Sequence, residues 1–213
     1  TDEQKEQITG AETFDALFGM FNGMTNVLAT TNNVSYLDEN GNQQTAESAT
    51  VVESSTTSWN AGWYVVNSNV TISSRITVSG EVNLILADGY TLTASQGITV
   101  DGSNSLTIYG QTSGTGTLKA TTNNAAAGIG GLYAAGGTIT INGGTVEATG
   151  GGGAAGIGGG LGGAGGTITI NGGTVTATGG SGGNGGAGIG GGSAGAGGSV
   201  TITGGTVTAT GRG

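Results

Sequence analysis

Five copies of one short pattern constrain this chain more than any other feature: TLTAS at 91–95, TLKAT at 117–121, TVEAT at 145–149, and TVTAT at 174–178 and again at 206–210. Their starts lie 26, 28, 29 and 32 residues apart, so the period lengthens along the chain. A second track keeps step with the first: LILA at 84–87, SLTI at 105–108, TITI at 138–141 and 167–170, and SVTI at 199–202. A third runs as GITV at 97–100, then AGIG at 127–130, 155–158 and 187–190. Self-similarity at such a period marks a repeat architecture. Each unit reads as three short strands, with a tight NGG turn (Asn142, Asn171) between the first two. Asn and Gly suit such a corner because both tolerate positive φ.

Within the strands the residues alternate. Ile168, Ile170, Val175 and Ala177 point one way, and Thr167, Thr169, Thr174 and Thr176 the other. Three strands per repeat, one apolar face and no helical period over the repeats predict an all-β fold, a right-handed parallel β-helix of about six coils. Antiparallel hairpins compete, because NGG between strands is also a hairpin signal. Identical residues at corresponding places favour stacked coils, with like positions about 4.8 Å apart. Val146, Val175 and Val207 with Leu92 and Leu118 then form one internal column. Ile129, Ile157 and Ile189 form another, and Ala94, Ala120, Ala148, Ala177 and Ala209 a third. On the outside, Lys119 and Glu147 fall in one column on adjacent coils, and the stacking predicts an ion pair there.

Composition agrees and narrows the function. The chain has 50 glycines but no proline, which suits a sheet that needs nearly every N–H as a donor. A formal charge of −9, with four basic residues and no histidine, argues against nucleic acid, whose phosphates demand clustered Lys and Arg. Without cysteine neither a disulfide framework nor a thiolate metal site is available. No apolar run approaches the roughly 20 residues of a membrane-spanning helix.

The N-terminal part differs. Phe14, Leu17, Phe18, Phe21, Met24 and Leu28 fall at helical spacing, and Thr9 with Glu12 fits a capping box. Residues 1–33 are therefore expected to hold an amphipathic helix that covers the first coil, whose open strand edge and apolar core would otherwise recruit other chains. Residues 34–66 read as an irregular β cap with an Asn-Gly turn at 40 and 41, and residues 67–213 as the β-helix. TVTATGRG stops in mid-pattern, so the array is expected to continue or to meet a partner at its C-terminal edge.

Reactive groups are scarce where the repeats are regular. After Asp101 the only charged side chains are Lys119, Glu147 and Arg212, too few for the carboxylates and cations that a polysaccharide lyase uses. Asp88 and Asp101 each precede Gly and read as turn residues. No GGxGxD calcium repeat occurs, and Gly41 is misplaced for an EF-hand loop begun by Asp38. The glycine runs have no following helix for a dinucleotide fingerprint and no GK[ST] for a phosphate loop. No metal or cofactor is expected. Aromatic rings, which stack on the apolar faces of sugars, are the remaining recognition groups: Trp59, Tyr90, Tyr109 and Tyr133 are the candidates, while Trp63 reads as cap packing. A T-x-T lattice on the outer face suggests ice binding, but Lys119 and Glu147 interrupt it and Thr is an ordinary exposed strand residue.

The stretch WNAGWYVVNSNVTISSRITVSGEVNLILADGYTLTASQGITV, followed by the AGIGGG and GGTVTATGG units, resembles the repeat regions of large secreted or cell-surface proteins of Gram-positive gut anaerobes. The similarity covers about residues 34–213. More distantly the chain is similar to carbohydrate-binding right-handed β-helix domains related in fold to pectate lyases. The resemblance implies an extracellular, non-enzymatic adhesin or stalk module, with a polysaccharide or host glycan as candidate ligand. A lyase-like enzyme is the alternative, which a cluster of Asp, Glu, Lys and Arg on one face near residues 75–101 would favour, and a purely structural spacer is the third reading.

Overall fold

The computed structural model describes residues 28–213. The expected N-terminal helix falls almost entirely outside them. The described residues are all β, without a helix. They open with β1 (Thr30–Leu37), β2 (Gln43–Val51) and β3 (Ser58–Val66). The first turn of the coil follows as β4 (Val70–Ile72) and the long β5 (Ile76–Leu86). The next is β6 (Thr91–Ala94), β7 (Ile98–Thr99) and β8 (Ser105–Gly110). Then come β9 (Thr117–Thr121), β10 (Ile129–Gly130) and β11 (Thr138–Ile141), followed by β12 (Thr145–Thr149), β13 (Ile157–Gly158) and β14 (Thr167–Ile170). The last are β15 (Thr174–Thr178), β16 (Ile189–Gly190) and β17 (Ser199–Ile202), with β18 (Thr206–Thr210) beginning another turn.

Every rung pairs in parallel with the equivalent rung of its neighbours. One sheet runs β4-β6-β9-β12-β15-β18. The other holds both remaining faces, because β5 bends round a corner and pairs with β7 through its first half and with β8 through its second. The registers are those of the sequence columns: Val146 opposes Val175 and Leu118, Val175 opposes Val207, and Ile157 opposes Ile129 and Ile189. The chain is thus a parallel β-helix with three strands per turn, not a series of hairpins.

The alternation sends Leu92, Leu118, Ile139, Ile141, Ile168 and Ile170 fully into the core, each contributing roughly 1.5–3 kcal/mol of hydrophobic burial. Outside, Lys119 Nζ lies 3.1 Å from Glu147 Oε2 with both side chains 46% exposed, the ion pair that the stacking predicts. At the last turn the inward Val200 and Ile202 are 42% and 52% exposed.

Two corners differ in detail from the expectation. At the NGG turns the positive φ belongs to the second glycine, 78° at Gly144 and 81° at Gly173. The asparagines instead form a ladder: Asn171 Nδ2 donates to Asn142 Oδ1 at 2.8 Å, and Thr203 Oγ1 donates to Asn171 Oδ1 at 2.7 Å. The AGIG motifs are arches whose isoleucines point inward, closed by Ala127 N–H donating to Gly131 O at 3.0 Å, Ala155 to Gly159 at 2.9 Å and Ala187 to Gly191 at 3.1 Å. Around these arches the glycine runs form a packed layer. Gly150, Gly151, Gly156, Gly159, Gly160 and Gly163 are all buried, and a Cβ on Gly156 would lie 2.7 Å from the Gly188 oxygen. Their lack of side chains lets backbone rest on backbone.

The N-terminal β region matches the expected strand, Asn-Gly turn and strand. β1 and β2 form an antiparallel hairpin, the end of β2 pairs with β3, and β3 pairs with β5. This hairpin lies over the outer face of the first rungs. Ala46 and Ala49, with Val34 and Tyr36, pack on Val65, Ile85, Trp63 and Tyr109 in a second apolar cluster separate from the coil core.

Candidate functional site

The outer face of β3, β5 and β8 becomes a site because of a register change. Trp59 pairs with Val78 and points inward; between Asn60 and Gly62 the pairing shifts, β3 passing the corner with one residue fewer than β5. Inward positions then change from odd to even, so Tyr64 and Val66 are buried and Trp63 faces out. Trp59 is fully buried, stacks on Tyr64 at 5.4 Å and donates its indole N–H to Thr56 O at 2.9 Å. This corrects the ligand-binding expectation for Trp59: an indole with no exposed surface and a satisfied N–H is a core residue. Tyr64 in turn accepts the Asn60 N–H at 2.9 Å, and burial raises its phenol pKa.

Trp63 belongs to an aromatic trio instead. Its ring centroid lies 5.3 Å from that of Tyr109, and Tyr36 from the hairpin sits 4.7 Å from both. All three are half-buried and belong to the apolar cluster under the hairpin. Desolvation raises the phenol pKa of Tyr36, assisted by Asp38 and Glu39; desolvation also raises that of Tyr109, assisted by Tyr36 and Glu39. Tyr109 O–H reaches Asn83 Oδ1 at 3.3 Å.

Beside the trio runs a groove of about 410 Å3, lined by Glu81, Val82, Asn83, Ser103, Ser105, Thr107 and Thr138. Register places the rings against it. Trp63, Asn83 and Thr107 are successive members of one outward column, and Glu81, Ser105 and Thr138 of the next. Trp63 is therefore one rung, about 4.8 Å, from the groove floor, and Tyr109 is two residues along its strand from Thr107. A second hollow of about 380 Å3, between Leu37, Gln111 and the NGG turns at 142–144, has no ring.

The other candidate residues are scattered. Tyr90 and Tyr133 are 41% and 63% exposed, and neither stacks on another ring among the described residues. Of the four candidates Tyr109 alone stands beside the groove, through its bond to Asn83. Trp63 packs against the N-terminal hairpin, as its reading as cap packing expects; its place beside the groove, and that of Tyr36, follow from the parity change and the fold-back of the hairpin, which have no local sequence signal.

Of the charged groups near residues 75–101, Glu81 lines the groove, whereas Arg75, Asp88 and Asp101 are engaged in hydrogen bonds. The Arg75 side chain lies along the coil axis, donating to Thr99 Oγ1 at 2.6 Å, Gln96 O at 2.7 Å, Ile98 O at 3.2 Å, Ala127 O at 3.0 Å and Gly130 O at 3.4 Å. It thereby staples three successive turns. Burial lowers its pKa to about 10, opposed by Asp101, so it is charged at neutral pH. Asp88 accepts the amides of Ser113 and Thr115 at 2.9 and 3.0 Å; although partial burial pushes the other way, these bonds hold its carboxyl below the ordinary range. Asp101 is 3.4 Å from Asn104 Nδ2. Among the described residues no group of His, Cys, Asp or Glu is disposed to hold a metal ion.

No curated protein and no solved structure matches the chain. A family model described as "Beta helix repeat" matches residues 139–161, 168–193 and 200–213. The first two matches each begin one residue into a TITI strand, at Ile139 and Ile168, and run past the next AGIG arch; the third begins at Val200, one residue into β17. The phase of the matched repeat is thus the phase of the coil, and this part of the chain is a β-helix repeat region.

Proposed function

We propose that the chain is an extracellular, non-catalytic β-helix module, an adhesin or stalk that binds polysaccharide. The observation that carries this reading is the half-buried trio Tyr36, Trp63 and Tyr109 beside a groove floored by Asn83, Ser105 and Thr107. Rings offering a face next to amide and hydroxyl groups are what a pyranose needs: C–H groups stack on the ring and hydroxyls bond to the floor. The parallel coil supplies a rigid base for both. Support for a lyase is weaker. Arg75 and Asp88 are committed to backbone groups, which leaves neither free to neutralise a uronate or take its proton.

The test is a glycan array probed with the wild-type chain and with Tyr109→Ala. Hits that weaken in the variant are expected. An array without hits would leave a spacer, and release of unsaturated uronate from polygalacturonate would make the chain an enzyme.

A further inference from the structure

The charges around the groove select among sugars. Glu81 lines it, and Asp38 and Glu39 stand at the hairpin tip close enough for their fields to act on Tyr36, that of Glu39 reaching Tyr109 as well. No lining residue is basic. The three basic residues in 28–213 are placed otherwise: Arg75 is embedded in carbonyls, Lys119 pairs with Glu147 on the other sheet, and Arg212 lies next to the last residue. Among the described residues, a ligand entering along Trp63 therefore meets only negative charge. Hydrogen-bonding capacity is ample, with the Asn83 amide and the hydroxyls of Ser105, Thr107 and Thr138. The volume lies in the range of ligand clefts, roughly 300–1,000 Å3.

We infer that the groove beside Trp63 selects uncharged pyranose units of a polysaccharide over polyuronates. This rests on the polysaccharide-binding reading above and adds the substrate class. Two like charges about 7 Å apart in water lower an affinity about threefold, and reversing one of them restores about sevenfold in all. The effect is strongest at low ionic strength, where the screening length is longest.

Affinity electrophoresis at about 0.01 M salt, through gels containing xyloglucan, galactomannan, laminarin or polygalacturonate, tests this. The wild-type chain is expected to be retarded by at least one uncharged polymer, and by polygalacturonate about threefold less or not at all. Retardation should weaken in Trp63→Ala, and also in Thr107→Ala, which changes the groove floor without touching the apolar cluster under the hairpin. Glu81→Lys should raise affinity for polygalacturonate about sevenfold. Equal or stronger retardation of the wild type by polygalacturonate overturns the charge selection while leaving polysaccharide binding intact. Retardation by none of the four polymers overturns the binding reading itself, and this inference with it.

Discussion

Replacing Gly158 by Ala probes the claim that the glycine runs are a packed layer. Gly158 has φ of +130° and is fully enclosed, and an added Cβ would overlap the carbonyl oxygen of Gly190 one turn on. The backbone region is nearly closed to L-residues and costs about 1–3 kcal/mol. Relieving the overlap means moving β16 away from β13, and overpacking of this kind costs about 1–3 kcal/mol more. The expected loss is about 2–6 kcal/mol, a large share of the roughly 5–15 kcal/mol that holds a typical domain. Gly162 is the control. It also has positive φ, +75°, but nothing lies within 4 Å of an added Cβ, so Gly162→Ala pays backbone strain of about 1–2 kcal/mol alone. Urea unfolding of both variants gives the comparison. Hydrogen exchange at Ile157 and Gly159, whose amides donate to Gly188 and Gly190 at 2.9 Å, locates it in the fourth turn, since repeat stability is set between neighbours. If Gly158→Ala is no more destabilising than Gly162→Ala, the glycines are not there for close backbone approach and the packed-layer argument fails.

Other consequences are as direct. Arg75→Met strips donors from carbonyls in two further turns and should cost about 2–4 kcal/mol by chemical denaturation; an unchanged midpoint would remove its role as a staple. A double-mutant cycle on Lys119 and Glu147, both half exposed, should give a coupling of about 0.2–1 kcal/mol that fades with added salt. Tyr36, Tyr64 and Tyr109 have phenol pKa values raised by burial. The folded chain holds those protons longer than the unfolded one, so their stabilisation is complete at neutral pH and is lost as pH rises through the raised values. Arg75 acts in the opposite sense, its burial cost easing as pH rises through about 10. Thermal unfolding should accordingly be level from neutral pH to the usual tyrosine range and decline beyond it, more steeply in Arg75→Met, with late phenolate absorbance marking the same three residues.

The sequence was most legible where repetition supplied its own control. Identical residues at a fixed place in each copy disclosed the columns through Val146, Ile157 and Ala148, and with them the Lys119–Glu147 pair. The candidate site was less legible because it depends on departures from repetition. A one-residue difference at a corner sends Trp59 inward and Trp63 outward, although the two stand four apart on one strand and either could be assigned to the core. The contact of Tyr36 with Tyr109 links positions 73 residues apart and follows from how the hairpin lies, which no local pattern encodes. Arg75 was legible only as a charge; its partners are backbone carbonyls, which carry no sequence signature. The packing of the glycine runs was hidden for the same reason, since what they touch is other backbone.

The account depends above all on parallel stacking in register, and a single distance tests it. Thr91 and Thr206 occupy the same outward position of β6 and β18, four rungs apart in one sheet. Spin labels on cysteines introduced at both positions should report a backbone separation of about 19 Å by electron paramagnetic resonance, four spacings of about 4.8 Å. An up-and-down sheet would put twelve strand spacings between them, about 58 Å, and a distance near that value would contradict the β-helix and the site built on its face.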